Sequence, residues 1–487
     1  MAKHKRRYRA AKQVADDAQQ SSLHPPVDQP TADFNDPVMH ARVWQIDHLG
    51  IQAYLVALAA FQRGLRVIFH YELASKSERF GYLSGPGHLG EFFSVSDGYR
   101  CHCFRRTLGD LTSKASSALV DNKQQTKELL ARHGVDVPDG VLLGENPAES
   151  AGRFLARHPD RRFLLKPLAG TEGKGVIRNL SPPAVAEHVS AAGQAEASML
   201  LEEFVPGTDY RVYVTGGRYI AALARVPANV TGNGRDSIRQ LINRKNALRR
   251  AHPVYRRDPI ALDTSMKERL ARDGLSLDAV PAAGQRVFLD DVPSVHRGGD
   301  VEDVTDSLPH SVREQAIRAQ QALALPNTGL DLMVSGAGTV QERVVVLEAN
   351  QCPYIALLSL PLDPATPSPG NRVAESIIDH YFPASVTNHR HTRASFDFMQ
   401  ICRTLQSGVA SEIALPVLGQ EWVHQRKNIP AVRVDGSVPE KIRRAMLLQG
   451  IHAGFVQTET GDVIVDWVAP KDRARRFADT LEAKLVG

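Results

Sequence analysis

Cysteine is scarce in this sequence, with four residues among 487. So few cysteines give no disulfide framework and suit a reducing compartment, so we expect a cytoplasmic location. Aromatic residues make up only 6% of the chain, and no apolar run approaches the length that spans a bilayer. We therefore expect no membrane partner. The basic N-terminus is not followed by an apolar stretch, so we do not expect a secretory signal either.

Charge of one sign is also in short supply, because the formal net charge is only +5. The excess sits in the first dozen residues and in short arginine clusters. These features favour a solvated tail over a nucleic-acid partner. Two cysteines flank His102, but the spacing is too tight for a usual zinc site, so Cys101–Cys103 is interpreted as a strand with alternating faces.

The length exceeds what one hydrophobic core usually serves, so we expect several domains of mixed α/β (α+β) class. The first stretch is polar, contains four prolines and lacks periodicity, which indicates disorder. A segment poor in regular patterns near residue 390 is interpreted as a linker. The predicted divisions are a disordered tail 1–37, an α/β domain 38–118, a larger domain 119–384, a linker 385–396 and a small α/β domain 397–487.

A glycine-bearing loop follows the strand that ends at Lys166. Gly170, Gly173 and Gly175 offer backbone N–H groups that can close over phosphates, and Lys174 adds positive charge. Glycine-rich turns between strands are common, so this loop alone is a weak indication of a nucleotide site.

Acidic residues on two later strands give a stronger indication. Glu348 and Asn350 are two positions apart, so both side chains leave the same face of a strand. If Asp331 lies on the neighbouring strand, three oxygen ligands of the kind that suits Mg²⁺ converge. The alternative is that all three are ordinary polar positions at the rim of a core.

The order of these parts along the chain resembles the ATP-grasp fold over residues 119 to 384. The likeness is greatest to the ATP-grasp domain of cyanophycin synthetase and of the bifunctional glutathione synthetases, and D-alanine–D-alanine ligase is more distant. It depends on stretches that include DNKQQTKELLARHGVDVP, FLLKPLAGTEGKGV, EEFVPGTDYRVYVTGG, HRGGDVEDVTD, GLDLM and VLEANQCP.

This resemblance implies a role for each matching residue and an ATP-dependent ligase that joins a carboxylate to an amine through an acyl phosphate. ATP would contact Lys123, Lys166, Glu202, Glu203, Val205 and Asp209. The loop from Gly170 to Gly175 would cover its phosphates, and residues from about 160 to 205 would form a lid. Two Mg²⁺ ions, with Mn²⁺ as an alternative, would bind Asp331, Glu348 and Asn350. The reacting groups would lie near Arg211, Arg225, His296 and Arg297.

Departures from the relatives affect the substrate rather than ATP. They often have Asn-Ala-x-Pro-Gly after the metal ligands, where this chain has Asn350-Gln351-Cys352-Pro353-Tyr354. The partners are expected to be small acids and amines, such as amino acids or peptides, and homo-oligomers are common among the relatives. Two alternatives stay open, an ATP-binding module without turnover and a kinase that releases a phosphorylated product.

The C-terminal piece faintly resembles an acylphosphatase-like module. The resemblance depends on Ala431–Val438, on a helix near Pro439–Leu448 and on the strands around Phe455 and Val463. The module is expected to be catalytically inactive and to bind or pack.

Overall fold

The computed structural model of the protein describes residues 32–71, 89–167, 175–192, 199–337, 339, 342–363, 366, 370–385, 391 and 393–486. Its helices are α1 Pro37–Val43, α2 Gly50–Gln62, α3 Lys114–Asp121, α4 Lys123–Arg132, α5 Pro147–Arg157, α6 Pro182–Ala192, α7 Ile238–Ala251, α8 Thr264–Arg272, α9 His310–Leu323, α10 Ala356–Ser359, α11 Arg372–Tyr381, α12 Phe398–Gln406, α13 Val438–Gln449 and α14 Lys471–Val486. Its strands are β1 Arg66–His70, β2 Phe92–Ser96, β3 Cys101–Arg105, β4 Leu108–Gly109, β5 Gly140–Leu142, β6 Phe163–Pro167, β7 Ile177–Leu180, β8 Met199–Glu203, β9 Thr208–Thr215, β10 Arg218–Val226, β11 Asn229–Thr231, β12 Arg286–Phe288, β13 Asp300–Asp303, β14 Asn327–Ser335, β15 Arg343–Asn350, β16 Glu412–Ala414, β17 Trp422–Ile429, β18 His452–Gln457 and β19 Val463–Pro470.

The strands form separate antiparallel sheets with helices packed on them, which confirms the predicted α+β class. The sheet orders are β16-β1-β2-β3-β4, β5-β8-β6-β7, β13-β10-β9-β14-β15, β11-β12 and β17-β19-β18. All strand pairings in the described parts of the chain are antiparallel. Among the same residues, no helix is long and apolar enough to cross a membrane.

Helix α2 is the centre of the first core. Every residue from Gly50 to Gln62 is buried, because β1 and β2 cover one side of the helix and α11 covers another. A helix that is apolar all round needs such complete cover. The sequence AYLVALAAF therefore determines a helix in the middle of a domain.

The predicted boundary of the C-terminal domain is wrong. Strand β16 pairs with β1, and its Ala414 lies opposite Ile68 in the first sheet. Helix α12 and the residues after it bury their apolar side chains in the same core as α2. The described residues of the predicted linker 385–396 include Ala394 and Phe396, which are buried there too. The small C-terminal domain therefore begins near β17, about 25 residues later than predicted.

The predicted tail also ends earlier than residue 37. Ala32 and Phe34 are each at most 2% exposed and belong to the first core. Asp36 accepts hydrogen bonds from the backbone N–H groups of Val38 and Met39, and so it caps α1. The earlier part of the predicted tail lies outside the described residues.

Two sheets of the predicted ATP-grasp region form its lobes. The four-stranded sheet packs on α5 and α6 around Phe154, Phe163 and Leu201. The five-stranded sheet packs on α9 around Val312, Leu330 and Val346. Tight turns connect its strands, as at Gly216 and Gly217, whose φ angles of +56° and +76° suit the β9–β10 hairpin.

The C-terminal module has the order β17, α13, β18, β19, α14. Its strand before α13 is β17, whereas Ala431–Arg433 form a short 3₁₀ turn. The stretch from Ala431 on which the acylphosphatase resemblance depends is therefore not the strand of this module, and the predicted correspondence is wrong there.

Candidate active site

Six of the predicted site residues lie on one face of the five-stranded sheet. Asp331 lies opposite Arg211 on one side and opposite Glu348 on the other, so the three side chains share a face. Alternation along each strand adds the remaining three residues to that face, which are Asp209, Arg225 and Asn350. The sheet therefore brings the predicted arginines and acidic residues together.

A charged cluster at the centre of this face joins two arginines to two acids. Arg211 donates to both carboxylate oxygens of Asp331, at 3.1 Å for the Nη2–Oδ2 contact. Arg225 donates to Asp331 at 2.9 Å and to Asp209 at 3.1 Å. These charge-assisted hydrogen bonds fix the four side chains relative to one another.

The pKa values in the cluster follow from burial and from these partners. Burial favours the protonated form of Asp331, but Arg211 and Arg225 together outweigh burial and lower its pKa. Burial raises the pKa of Asp209, and the Arg225 charge offsets only part of that rise, while Asp331 adds to it. Burial would lower the pKa of Arg225, yet its two acidic partners raise it. Asp331 therefore keeps its negative charge between two cations.

A β-bulge positions the other two predicted metal ligands. Asp331 lies opposite Glu348, whereas Leu332 lies opposite Val346, so Leu347 is the extra residue in β15. The Glu348 side chain is exposed, and the amide of Asn350 is 3.5 Å from the carbonyl of Gly329. Within the residues that the structure describes, no group of three His, Cys, Asp or Glu side chains is close enough to hold a metal ion. The metal roles stay a prediction.

A buried lysine that the sequence reasoning missed pairs with an acid of the facing four-stranded sheet. Glu202 on β8 is ion-paired with Lys127 of α4, and its other oxygen is 2.8 Å from Nζ of Lys166 on β6. Lys123, which we predicted, begins the same helix and is half-buried. Gly140 lies opposite Glu202, where a Cβ would come within 2.9 Å of the Glu202 side chain. The glycine therefore leaves room for the acidic group.

The next residue along β8 points the other way and connects the two lobes. Glu203 accepts from Arg343 of β15 at 2.6 Å and pairs with Arg161 at 3.1 Å. Arg343 also pairs with Asp136 at 2.8 Å. The side chain of Glu203 is thus engaged in an ion-pair network between the two sheets. Val205, two residues later, is buried as well. The sequence reasoning missed Arg343, since no motif marks it.

The lid approaches the charged cluster through Arg178 of β7. Its guanidinium is close enough for electrostatic interaction with Asp209 and Arg225 on the five-stranded sheet and with Arg297. Loss of hydration lowers the pKa of Arg178, and Asp209 counteracts that effect. In the predicted loop, Gly175 has a φ of +74°. Gly170, Gly173 and Lys174 lie outside the described residues.

His296 and Arg297 form a 3₁₀ turn just before β13. Nδ1 of His296 is 3.1 Å from Oδ1 of Asp258, and Nε of Arg297 donates to Asp290 at 2.7 Å. Strand β13 pairs with β10, where Val301 lies opposite Arg225. The turn therefore borders the charged face, and it forms ion pairs with Asp258 and Asp290.

Known proteins match more than half of the chain. The glutathione biosynthesis bifunctional protein of Desulfotalea psychrophila is 31% identical over 295 residues, which are 58% of this chain and 36% of that protein. Cyanophycin synthetase of Trichormus variabilis is 30% identical over 283 residues, which are 57% of this chain and 31% of that protein. The predicted resemblance to the ATP-grasp superfamily is confirmed. The chain spans about a third of the length of these curated relatives.

A solved structure that the chain resembles is the bifunctional glutathione synthetase from Pasteurella multocida. It is 26% identical, has a TM-score of 0.48, and covers 60% of this chain and 40% of its own. No family model matches the chain. The resemblance to ATP-grasp ligases therefore depends on sequence similarity to the bifunctional glutathione proteins and cyanophycin synthetase.

Proposed function

We propose that the chain is an ATP-dependent ligase that joins a carboxylate to an amine through an acyl phosphate. The observation that carries the proposal is the single sheet face on which Arg211, Arg225 and Asp331 meet. Glu348 and Asn350 lie next to them on that face. The bifunctional glutathione proteins and cyanophycin synthetase, which the chain resembles in sequence, support the same class of reaction.

ATP would lie between the two lobes. Lys127 of α4 and Lys166 of the four-stranded sheet would face its adenine or phosphates, with Glu202 holding both ammonium groups in place. Arg178 of the lid adds a third cation on that side of the cleft. Backbone N–H groups of the loop after Lys166 would cover the phosphates.

Asp331, Glu348 and Asn350 would hold the two Mg²⁺ ions, because carboxylate and amide oxygens are the ligands that Mg²⁺ takes. A carboxylate has about four lone-pair positions, and the two arginines donate three N–H groups to Asp331. One position is therefore left for a metal ion, and the exposed Glu348 carries a second carboxylate on the same face. When bound, Mg²⁺ neutralises phosphate charge and orients the phosphates.

The arginines address the charge problem of the reaction. One carboxylate oxygen of the acid substrate attacks the γ-phosphorus of ATP, the bond to the bridging oxygen breaks, and ADP leaves. Arg211 and Arg225 reduce the repulsion between these anions and stabilise the acyl phosphate. The amine then attacks the acyl carbon, inorganic phosphate leaves, and the amine proton passes to solvent or a base. A closed lid would keep water from the intermediate.

A substrate screen tests the ligase proposal. Pairs of carboxylic acids and amines, drawn from amino acids and dipeptides, are incubated with ATP and Mg²⁺, and ADP, phosphate and the amide product are measured. We expect release of ADP and phosphate that needs both substrates. ADP release without any need for an amine, with a phosphorylated product, would establish a kinase instead.

Glu348→Gln tests the metal assignment in the same assay. Because Glu348 is exposed, the variant should fold like the wild type and lose at least a hundredfold in turnover, about 2.7 kcal/mol of transition-state stabilisation. The control is Glu459→Gln, which changes an exposed acid in the turn between β18 and β19 and should keep full turnover. Undiminished turnover of Glu348→Gln would contradict the metal assignment.

A further inference from the structure

Three buried polar atoms without partners border one region beside the N-terminal helix α2. Among the described residues, Nδ1 of His48, Nε2 of Gln52 and Oη of Tyr354 have no hydrogen-bond partner. Gln52 is only 2% exposed, and its other amide atom accepts from the backbone N–H of Ile355 at 2.7 Å. The rings of His48 and Tyr354 are 6.2 Å apart. Each unpartnered buried group costs about 1–3 kcal/mol, so three together indicate a function.

This region adjoins the charged face of the five-stranded sheet. The hydroxyl of Tyr213, two residues after Arg211 on β9, donates to the carbonyl of Tyr354 at 2.6 Å. A Cβ on Gly329 would lie 2.8 Å from Pro353 and 3.0 Å from Nη1 of Arg211. The segment that ends in Tyr354 therefore passes directly beside the arginine that holds Asp331, and a molecule bound there would reach the proposed reacting groups.

The charged side chains around this region are of both signs rather than mainly positive. Burial lowers the pKa of His48, and the charged or titratable groups that act on this ring are Arg257, Asp47, Asp258 and His296. Arg257 and His296 favour its neutral form, while the two carboxylates oppose them. Burial also raises the pKa of Tyr354 far above its ordinary value, with further increments from nearby tyrosines and from the same two carboxylates.

Both side chains are therefore uncharged near neutral pH. A neutral imidazole offers one N–H group, the phenol offers its O–H group, and the amide of Gln52 offers N–H groups. Donors of this kind suit a carbonyl oxygen. A carboxylate group of the ligand is disfavoured at this position, because two acids and one arginine surround the site and no net positive charge attracts an anion.

We propose that His48, Gln52 and Tyr354 form a subsite that binds the amide carbonyl of the acid substrate. This inference depends on the proposed ligase function. It narrows the acid substrate, because the subsite would bind acids whose amino group is acylated, such as N-acyl amino acids, in preference to free amino acids. Residue 354 is a tyrosine whose ring lies 6.2 Å from that of His48, so its hydroxyl supplies a donor beside the imidazole.

The test measures binding, so it does not need turnover. N-acetyl derivatives of the twenty common amino acids, each beside its free amino acid, are added to the wild-type chain with and without ATP and Mg²⁺, and thermal midpoints are followed. We expect at least one N-acetyl compound to raise the midpoint and its free counterpart to bind at least tenfold more weakly. If no N-acetyl compound binds, or the free amino acids bind as well, the subsite assignment is wrong.

Tyr354→Phe separates a binding role from a structural one. Because the hydroxyl has no partner, its removal should leave the ligand-free midpoint unchanged or raise it, while the Kd of the N-acetyl compound rises at least tenfold. The control is Tyr219→Phe, whose hydroxyl donates to the carbonyl of Thr305 at 2.8 Å. That variant should lose stability and keep the Kd. Equal Kd values for Tyr354→Phe and the wild type would overturn the subsite.

These outcomes are distinct from failure of the ligase proposal. Absence of ADP release in the substrate screen, together with N-acetyl binding that depends on Tyr354, would reject the reaction and keep the subsite. ADP release from free amino acids, with no effect of Tyr354→Phe on the KM for the acid, would keep the reaction and reject the subsite.

Discussion

Replacing Lys127 with methionine tests the buried ion pairs that Glu202 of the four-stranded sheet makes. Lys127 and Lys166 share Glu202, whose side chain is 2% exposed. Burial lowers the pKa of Lys127 from its ordinary 10.5 to about 8, Glu202 opposes this shift, and the nearby charge of Lys166 adds to it. Methionine keeps most of the length of the side chain and removes the titrating group.

The sign of the effect follows from proton binding. Between pH 8 and 10.5 the unfolded chain holds more protons on Lys127 than the folded chain does, so the stability contributed by this residue rises with pH. One pKa unit corresponds to about 1.4 kcal/mol, so the whole window contributes about 3 kcal/mol. Below pH 8 the lysine is charged in both states and the cost of burying its charge is present in full.

Urea unfolding at several pH values measures this difference. The free energy of unfolding of the wild type, minus that of Lys127→Met, should rise by about 3 kcal/mol from pH 8 to pH 10.5. The control Lys267→Met removes an exposed lysine of α8 and should leave the urea midpoint near that of the wild type. If the difference in free energy of unfolding between the wild type and Lys127→Met stays constant over this pH range, the reasoning is wrong.

Two further predictions concern the turn before β9 and the first core. Gly207 has a φ of +145°, and a Cβ there would lie 2.2 Å from a backbone oxygen of β14, so Gly207→Ala should lower stability by more than about 1 kcal/mol in urea unfolding. The matched control Gly152→Ala, in α5 with no atom within 4 Å of the new Cβ, should instead raise it by about 0.5–1 kcal/mol, and equal effects would contradict the steric argument. Burial raises the pKa of Glu375 from 4.5 to about 7, so the folded chain holds more protons in that window. The free energy of unfolding of the wild type should therefore fall by up to about 3 kcal/mol relative to that of Glu375→Gln as pH rises from 4.5 to 7. If urea unfolding shows no change in this difference with pH, the pKa of Glu375 is not raised.

Local patterns predicted much of the frame of the site. The spacing of Glu348 and Asn350 placed both on one face of a strand, and the structure pairs that strand with the one that carries Asp331. Asn122, of a residue type that commonly caps helices, precedes α4, and its side chain accepts from the backbone N–H of Gln125. These features depend on alternation and capping, which act over a few residues and can therefore be deduced from sequence.

Contacts between segments far apart in sequence explain why Lys127 and the C-terminal domain boundary were not predicted correctly. Lys123 and Lys127 are one helical turn apart in α4 and look equivalent in sequence, but only packing against β8 brings Lys127 to Glu202. The C-terminal boundary was wrong because β16 pairs with β1, some 345 residues earlier. No periodicity near either strand could indicate that pairing.

The sequence by itself determined the α+β class, the ATP-grasp resemblance and the residue types of the charged face, because helix caps, strand alternation and ordered motifs are local properties of the chain. The tertiary structure alone decided which charges pair. It joined Asp331 to Arg211 and Arg225 and paired Glu203 with Arg343. It also left one buried polar atom each of His48, Gln52 and Tyr354 without a hydrogen-bond partner. The physical reason is that burial and the distance between side chains set the strength of polar interactions, and both depend on segments far apart in sequence.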